Sequence, residues 1–441
     1  MRIGMQAWGS EGDIKPFTAL AAGLVSAGHE VTLAVTDNIG RDYSGLAKRD
    51  RYRIIAVPNP QQPSKKESEK VWRQIIDLGN PLKQAEVVLR YGFDPVVEPM
   101  YAAAKDLCAA SDAVVGHFFV YPLRVAAAKA GIPVATVNIV HNCLPSARIR
   151  PPGLPDLGAW SYRVGWQLVR TMVNRIFLPR ANSLRTREGL PPDTDVMTQT
   201  WAAERLNLIA VSPEICQAPS DWDARHHVCG FLNLPAALDA DELPAGLEEF
   251  LAAGDPPVYF TFGSMMIGTF DYLRETAAIW TEAVRRVGCR AIIQLPWDDL
   301  SALETHDRVF KVQRTPYRKV FPRCSLVVHH GGAGTTQSTL LAGRPSLVVA
   351  HVADQFFWGA ELERLGVGGR TLKRKGLRAG NLAAGIAHVL ARPETASRAD
   401  ALGRRMAREN GVATAIGLIE RCLAGRVTDQ PMQAKGKGDP T

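Results

Sequence analysis

Two short apolar runs, each emptying into a glycine-bearing loop and then a helix, constrain this chain more than any other feature. Arg2 to Trp8 runs into Gly9-Ser10-Glu11-Gly12-Asp13, and Leu326 to His330 runs into Gly331-Gly332-Ala333-Gly334. Strand, glycine loop, helix and strand in succession form a βαβ unit, and such units require a parallel sheet with helices packed on its faces. In the first unit Pro16 fits a first helical position. Phe17 to Ala27 continues the helix, Gly28 ends it, and His29 to Val35 is the next strand. Strand patterns recur at Ile54–Val57, Ala113–Gly116, Val134–Ile139 and Asn207–Val211. The rhythm then stops: Pro213 to Pro257 carries six prolines and one helical stretch, Leu247–Leu251. It restarts with strands at Val258–Phe262, Ala291–Leu295, Val309–Val312, Leu326–His330 and Leu347–Ala350, with a helix over Tyr272–Val287 and another over Thr335–Ala342.

The chain thus reads as α/β, with two Rossmann-like, doubly wound domains facing each other across a cleft. The expected boundaries are a first domain at 1–212, a linker at 213–256, a second domain at 257–398, a helical region at 399–426 and a disordered tail at 427–441. Its 441 residues suffice for two cores. Apolar residues at 46% and charged residues at 22% exclude a disordered or fibrous chain. The net charge of +8 is modest for this length; it permits contact with phosphates or an anionic membrane and does not imply nucleic acid. No run of 18 apolar residues offers a membrane span, and Ile3 to Trp8 is too short for a signal peptide. Seven scattered cysteines with no C-x-x-C pair fit a reduced, cytoplasmic protein better than a disulfide framework or a zinc site.

The stretch His329-His330-Gly331-Gly332-Ala333-Gly334-Thr335-Thr336 has the makings of an anion site. Small residues let the backbone approach closely, and free amides at a helix start favour a diphosphate. Thr335, Thr336 and His330 can add donors. The stretch lacks the lysine of a P-loop and is not G-x-G-x-x-G, which disfavours an ATPase and a dinucleotide enzyme. A structural glycine turn is the alternative.

Phe321-Pro322-Arg323-Cys324 through Thr336, followed by Ala353-Asp354-Gln355-Phe356-Phe357-Trp358-Gly359, resembles glycosyltransferase family 1, of GT-B fold. The nearest subgroups are the sterol and glycolipid glucosyltransferases and the glycopeptide-antibiotic glycosyltransferases. Gly9 to Phe17 resembles the acceptor-side loop of the same subgroups. The likeness spans both halves and is weak over 59–111 and 145–200. It implies that the first domain binds acceptor and the second a nucleotide sugar. By it, His330 and the amides of Gly332, Ala333, Gly334 and Thr335 hold the donor diphosphate, with Ser264 nearby. Asp354 and Gln355 then meet hydroxyls of the transferred sugar, and Thr315-Pro316-Tyr317 lies where the base sits. The tryptophan and glutamine of many plant relatives are absent there, so uridine and thymidine both stay open. Asp13 occupies the position of the catalytic base, which many family members fill with histidine.

On residue chemistry alone Asp13 is equally a turn or helix-capping residue. His117, at the end of a strand, can orient Asp13 or replace it, or be structural; His141 is a weaker case. Asp-x-Asp pairs at 193/195, 221/223 and 239/241 sit in proline-bearing stretches, and no metal or other cofactor is expected beyond the nucleotide sugar itself. His226-His227 with Cys229 lacks a fourth ligand. Arg148 to Leu190 holds eight arginines with Trp160 and Trp166. It reads as a core-facing helix, a hydrophobic acceptor channel, or a basic amphipathic helix at an anionic membrane.

The resulting expectation is an inverting transferase that moves a hexose, glucose foremost, from a UDP- or dTDP-sugar to a lipophilic hydroxylated acceptor: a sterol, polyketide, phenolic or lipid. The alternatives are a sugar-nucleotide enzyme of the same fold, such as an epimerase, and a non-catalytic auxiliary partner.

Overall fold

The computed structural model describes residues 1–441 except 62–63, 152–156, 234–241, 266–269, 296–306 and 424–441. The first sheet is built from β1 (Arg2–Gly9), β2 (Glu30–Asp37), β3 (Arg53–Ala56), β4 (Ala113–His117), β5 (Val134–Asn138), β6 (Leu206–Ile209) and β7 (His226–Val228). Its order is β3-β2-β1-β4-β5-β6-β7, parallel throughout. The second holds β8 (Val258–Thr261), β9 (Ala291–Gln294), β10 (Val309–Val312), β11 (Leu326–His329), β12 (Ser346–Ala350) and β13 (Leu372–Lys373). Its order is β10-β9-β8-β11-β12-β13, again parallel. Both sheets reverse direction of assembly at their centre, between β1 and β4 and between β8 and β11. Such reversals open a crevice at the carboxyl ends of the strands.

Strand alternation explains the four cores. Ile3, Met5 and Ala7 of β1 bury against one layer of helices, while Trp8 turns to the other. In β8 and β11, Val258, Phe260, Leu326 and Val328 face one layer, and Tyr259 and Val327 the opposite one. Two-sided burial is what makes these strands continuous apolar runs.

Two expectations require correction. The first helix spans Glu11–Ser26, so Pro16 lies inside it and does not start it. Ser10 ends the strand loop early, and Glu11 and Asp13 place negative charge in the first turn, where the macrodipole favours it. Segment 213–256 is not all linker. β7 pairs with β6 as the edge of the first sheet, and Leu247–Ala252 forms the expected helix. The tail expected at 427–441 lies outside the described residues.

The 399–426 region resolves into the end of helix Pro393–Met406 and helix Gly411–Leu423. The latter leaves the second domain: Val412, Ala415, Leu418 and Ile419 bury with Phe17 and Leu20 of the first. Between the domains, the buried Gln337 side chain accepts from Ser212 N at 2.9 Å and donates to the Ala210 carbonyl at 3.1 Å.

Helix Pro393–Met406 supports helix Ala333–Leu341 through Gly403. A Cβ there would lie 2.7 Å from the Gly343 Cα and 2.7 Å from the Leu340 carbonyl oxygen. Backbone cannot yield as a side chain does, so Gly403→Ala is expected to cost about 1–3 kcal/mol. Denaturant unfolding of the variant checks this, and a curve superimposing on the wild type contradicts it.

Candidate active site

The predicted residues converge at the two sheet reversals. Asp13 follows β1 and His117 ends β4; Ser264 follows β8 and His330 follows β11. Asp354 and Gln355 open helix Ala353–Arg364, after β12.

On the first domain, Gly9 has φ +134°, and a Cβ there would collide with the Asp13 carboxylate. This close approach lets Asp13 Oδ2 accept from Ser10 N at 2.7 Å and Ser10 Oγ at 3.0 Å. The capping role offered by the sequence is therefore real. It occupies one carboxylate oxygen and leaves Oδ1 3.8 Å from His117 Nε2. Burial pushes the Asp13 carboxyl up to about 6, against the two Ser10 hydrogen bonds, with Asp37 adding repulsion. His117 is buried among Phe17, Phe118 and Phe119, and burial pushes its imidazole down to about 3. At neutral pH it is uncharged. Neither of its ring nitrogens has a hydrogen-bond partner among the described residues.

On the second domain, helix Ala333–Leu341 starts at Gly332 and points its free amides into the crevice. The loop before it is tightly fitted. Gly331 has φ +89°, and a Cβ there would lie 2.8 Å from the Gln355 carbonyl. A Cβ on Gly332 would strike the His330 ring, and one on Gly263 would lie 2.8 Å from His330 Cε1 and 3.4 Å from Thr335 Oγ1. The turn carrying Ser264 thus abuts His330 and Thr335. His330 is pushed down to about 4 by burial, and its Nδ1 has no partner. A neutral imidazole beside free amides is a hydrogen-bonding site for an anion that carries no positive charge of its own.

The halves meet closely: a Cβ on Gly334 would lie 3.9 Å from the Gly12 Cα. The Asp354 carboxyl is raised to about 6, by burial first and by Asp13 second. The two carboxylates therefore share one cleft. Gln355 is buried, and its Oε1 accepts from His351 N at 2.7 Å and Val352 N at 3.3 Å. Its carbonyl is used to shape the loop carrying Asp354.

Several residues at the cleft escape sequence reading. Glu11 receives Lys15 at 2.7 Å, Arg41, and Arg314 of the second domain at 3.0 Å. Burial alone would raise its carboxyl, but these three cations hold it below its ordinary value. Arg314 precedes Thr315-Pro316-Tyr317, where the Tyr317 ring stacks on Phe321 at 4.2 Å. Nothing local in the sequence pairs positions 11 and 314. His141, which the sequence offers as a weaker candidate, stands 3.8 Å from Glu361 and against Phe357 and Trp358, a second contact between domains. Beside His117, Phe119 stacks between Trp8 at 5.7 Å and Trp201 at 5.5 Å, with Phe177 edge-on at 5.1 Å. This aromatic cluster belongs to the buried core of the first domain, beside His117. The Asp-x-Asp residues are engaged elsewhere: Asp193 with Arg185, Asp195 with Arg170, Asp221 with Ser146, and Asp223 with Arg225. Asp239 and Asp241 lie outside the described residues. His226 and His227 sit on β7.

Two parallel α/β domains meeting at an amide-rich crevice are the arrangement of the GT-B fold, and likeness to a glycosyltransferase over almost its whole length shows that the chain belongs to that family of enzymes. Residues 280–415 match the family described as erythromycin biosynthesis protein CIII-like, C-terminal domain. The chain is 30% identical to the O-mycaminosyltylonolide 6-deoxyallosyltransferase of Streptomyces fradiae, over 97% of this chain and 99% of that one. It is 29% identical to a sterol 3-beta-glucosyltransferase of Arabidopsis thaliana, over 96% of this chain and 68% of the other. The solved structure of the glycosyltransferase VinC in complex with DTDP superimposes with a TM-score of 0.64 at 20% identity, covering 96% of this chain and 100% of that one.

If the Gly332 corner binds an anion, displacing His330 from it weakens binding. Gly332→Val is expected to lower affinity for inorganic pyrophosphate at least about tenfold, the loss of one charge-assisted hydrogen bond. Calorimetry on the folded variant measures it, and unchanged affinity removes the corner from anion binding.

Proposed function

We propose that the protein is an inverting transferase that moves a hexose, glucose foremost, from a UDP- or dTDP-sugar to a hydroxyl of a lipophilic small molecule such as a sterol, polyketide, phenolic or lipid. The observation that carries this reading is the juxtaposition of the Asp13 loop with the amide-rich corner, so close that a Cβ on Gly334 would lie 3.9 Å from the Gly12 Cα. The relatives' own names, a sterol glucosyltransferase and a macrolide deoxyallosyltransferase, support the lipophilic acceptor. All seven cysteines are unpaired, which supports a reducing, cytoplasmic setting.

In this reading the donor diphosphate lies against the amides of Gly332 to Thr335, with His330 and Ser264 donating to its oxygens. Asp354 accepts from sugar hydroxyls, and Gln355 holds that loop. The acceptor hydroxyl oxygen forms a bond to the anomeric carbon from the face opposite the diphosphate. Its proton passes to Asp13 Oδ1, the oxygen not engaged by Ser10. The bond from the anomeric carbon to the diphosphate breaks, and its electron pair leaves on the diphosphate oxygen. The helix amino end stabilises the charge that collects there. Ser10 positions the Asp13 carboxylate, and His117, neutral and 3.8 Å from Oδ1, adds no charge of its own. Closure of the two domains keeps water from the donor.

A donor panel by calorimetry, followed by an acceptor screen read by mass spectrometry, tests the assignment; a protein that binds no sugar nucleotide refutes it. Asp13 must be ionised to take the proton. With its carboxyl at about 6, kcat/KM is expected to fall about tenfold per pH unit below pH 6, where an unperturbed aspartate would hold until about pH 4. Asp13→Asn is expected to lose about 10²–10⁴-fold in kcat with donor affinity kept. Wild-type turnover in that variant removes Asp13 from the chemistry.

A further inference from the structure

Helix Ala159–Arg187 is the longest in the described chain and has two dissimilar apolar faces. The inner face carries Trp166, Phe177, Ala181 and Leu184, all buried in the first domain, with Val169, Val173 and Ile176 packed against the same core. The outer face carries Trp160, Val164, Leu168 and Met172, spaced four apart, with exposures of 68%, 55%, 53% and 45%. Together with Leu157 they are five of the eight large apolar side chains exposed among the described residues, so the patch is concentrated. One row of this kind runs about 18 Å along the helix.

We propose that this outer ridge docks the protein on an anionic lipid surface. The charge around it selects the occupant. The 29 residues of the helix include six arginines and no aspartate or glutamate. Arg170, Arg180, Arg185 and Arg187 point back to Asp195, Asp94, Asp193 and Glu98 on the protein body. Arg163 and Arg175 do not. They lie on the exposed row Arg163, Gln167, Thr171, Arg175 that borders the apolar one, and have no acidic partner among the described residues. Arg150, also exposed, adds to the same end. An apolar row bordered by unpaired cations suits a helix lying in the plane of an anionic bilayer, with tryptophan at the interface. A second copy fits worse, since a two-fold contact through this ridge would bring arginine rows together with no carboxylate between them.

The placement has a consequence for substrate delivery. Phe177, on the inner face, packs edge-on against Phe119 and Trp201 at 5.1 and 5.0 Å. One helix therefore joins the docking ridge to the aromatic core beside His117, and a lipophilic acceptor reaches the crevice from the bilayer. This delivery step rests on the glycosyl-transfer reading above; the docking itself does not.

The test is co-sedimentation of the full chain with phosphatidylcholine vesicles, plain or with phosphatidylglycerol at about one lipid in three. Binding is expected only to the anionic vesicles, and is expected to weaken with salt. Leu168→Glu with Met172→Glu is expected to reduce it more than about tenfold. Arg163→Glu with Arg175→Glu is expected to reduce it at least about fivefold per arginine. Unchanged circular dichroism and unchanged calorimetric UDP or dTDP affinity show that the variants remain folded. A wild type that stays in solution with anionic vesicles overturns the proposal, as does equal binding by both variants. A dimer in sedimentation velocity that the same substitutions dissolve, without vesicle binding, assigns the ridge to a second copy and also overturns it. Vesicle binding by a chain that binds no sugar nucleotide would leave the docking standing and remove the transferase reading.

Discussion

Two helix amino ends confront each other across the cleft, and the rest of the site follows from that arrangement. Helix Glu11–Ser26 and helix Ala333–Leu341 approach at Gly12 and Gly334, each presenting unsatisfied amides and the positive pole of its macrodipole. Like poles repel, so the gap must hold negative charge. Glu11, Asp13 and Asp354 supply some of it, and Glu11 draws Arg314 across as well. A diphosphate placed there would complete the neutralisation of both poles. The same positive field steadies the ionised form of Asp13, and burial opposes it. The balance of these effects sets where Asp13 titrates.

Buried polar groups without partners mark the same place. His117 and Asn138 at the carboxyl edge of the first sheet, and His329 and His330 at that of the second, keep ring or amide atoms unsatisfied. Such atoms are costly in a fold that otherwise pairs its polar groups. All four sit at or just after the carboxyl end of a strand, the edge at which open α/β sheets take their ligands.

Much of this was legible in the sequence because strand–glycine–helix junctions are local. The apolar runs of β1 and β11 are short, two-sided and followed by residues that only close backbone approach explains. The first helix began earlier than Pro16 indicated, since Ser10 and Asp13 capped it before proline could. β7 was missed because three residues, two of them histidines, carry no apolar pattern at an edge. Asp13 and His117 were found as separate strand-end residues, and their proximity follows from β1 and β4 being neighbours. The Glu11–Arg314 pair and the bridging of Gln337 to Ala210 and Ser212 were invisible. They join positions more than a hundred residues apart through side chains that look like any other exposed charge or amide.

The return of helix Gly411–Leu423 to the first domain makes the two halves interleaved in sequence though separate in space. Recombining this enzyme with a relative at the 212–257 junction alone would seat a foreign first domain on a helix shaped for another partner, with Gly23 fitted to Val412 and Ile416. A functional chimera has to carry residues 411–423 along with the amino-terminal half. The natural unit of exchange is thus a discontinuous module whose last piece follows the second domain.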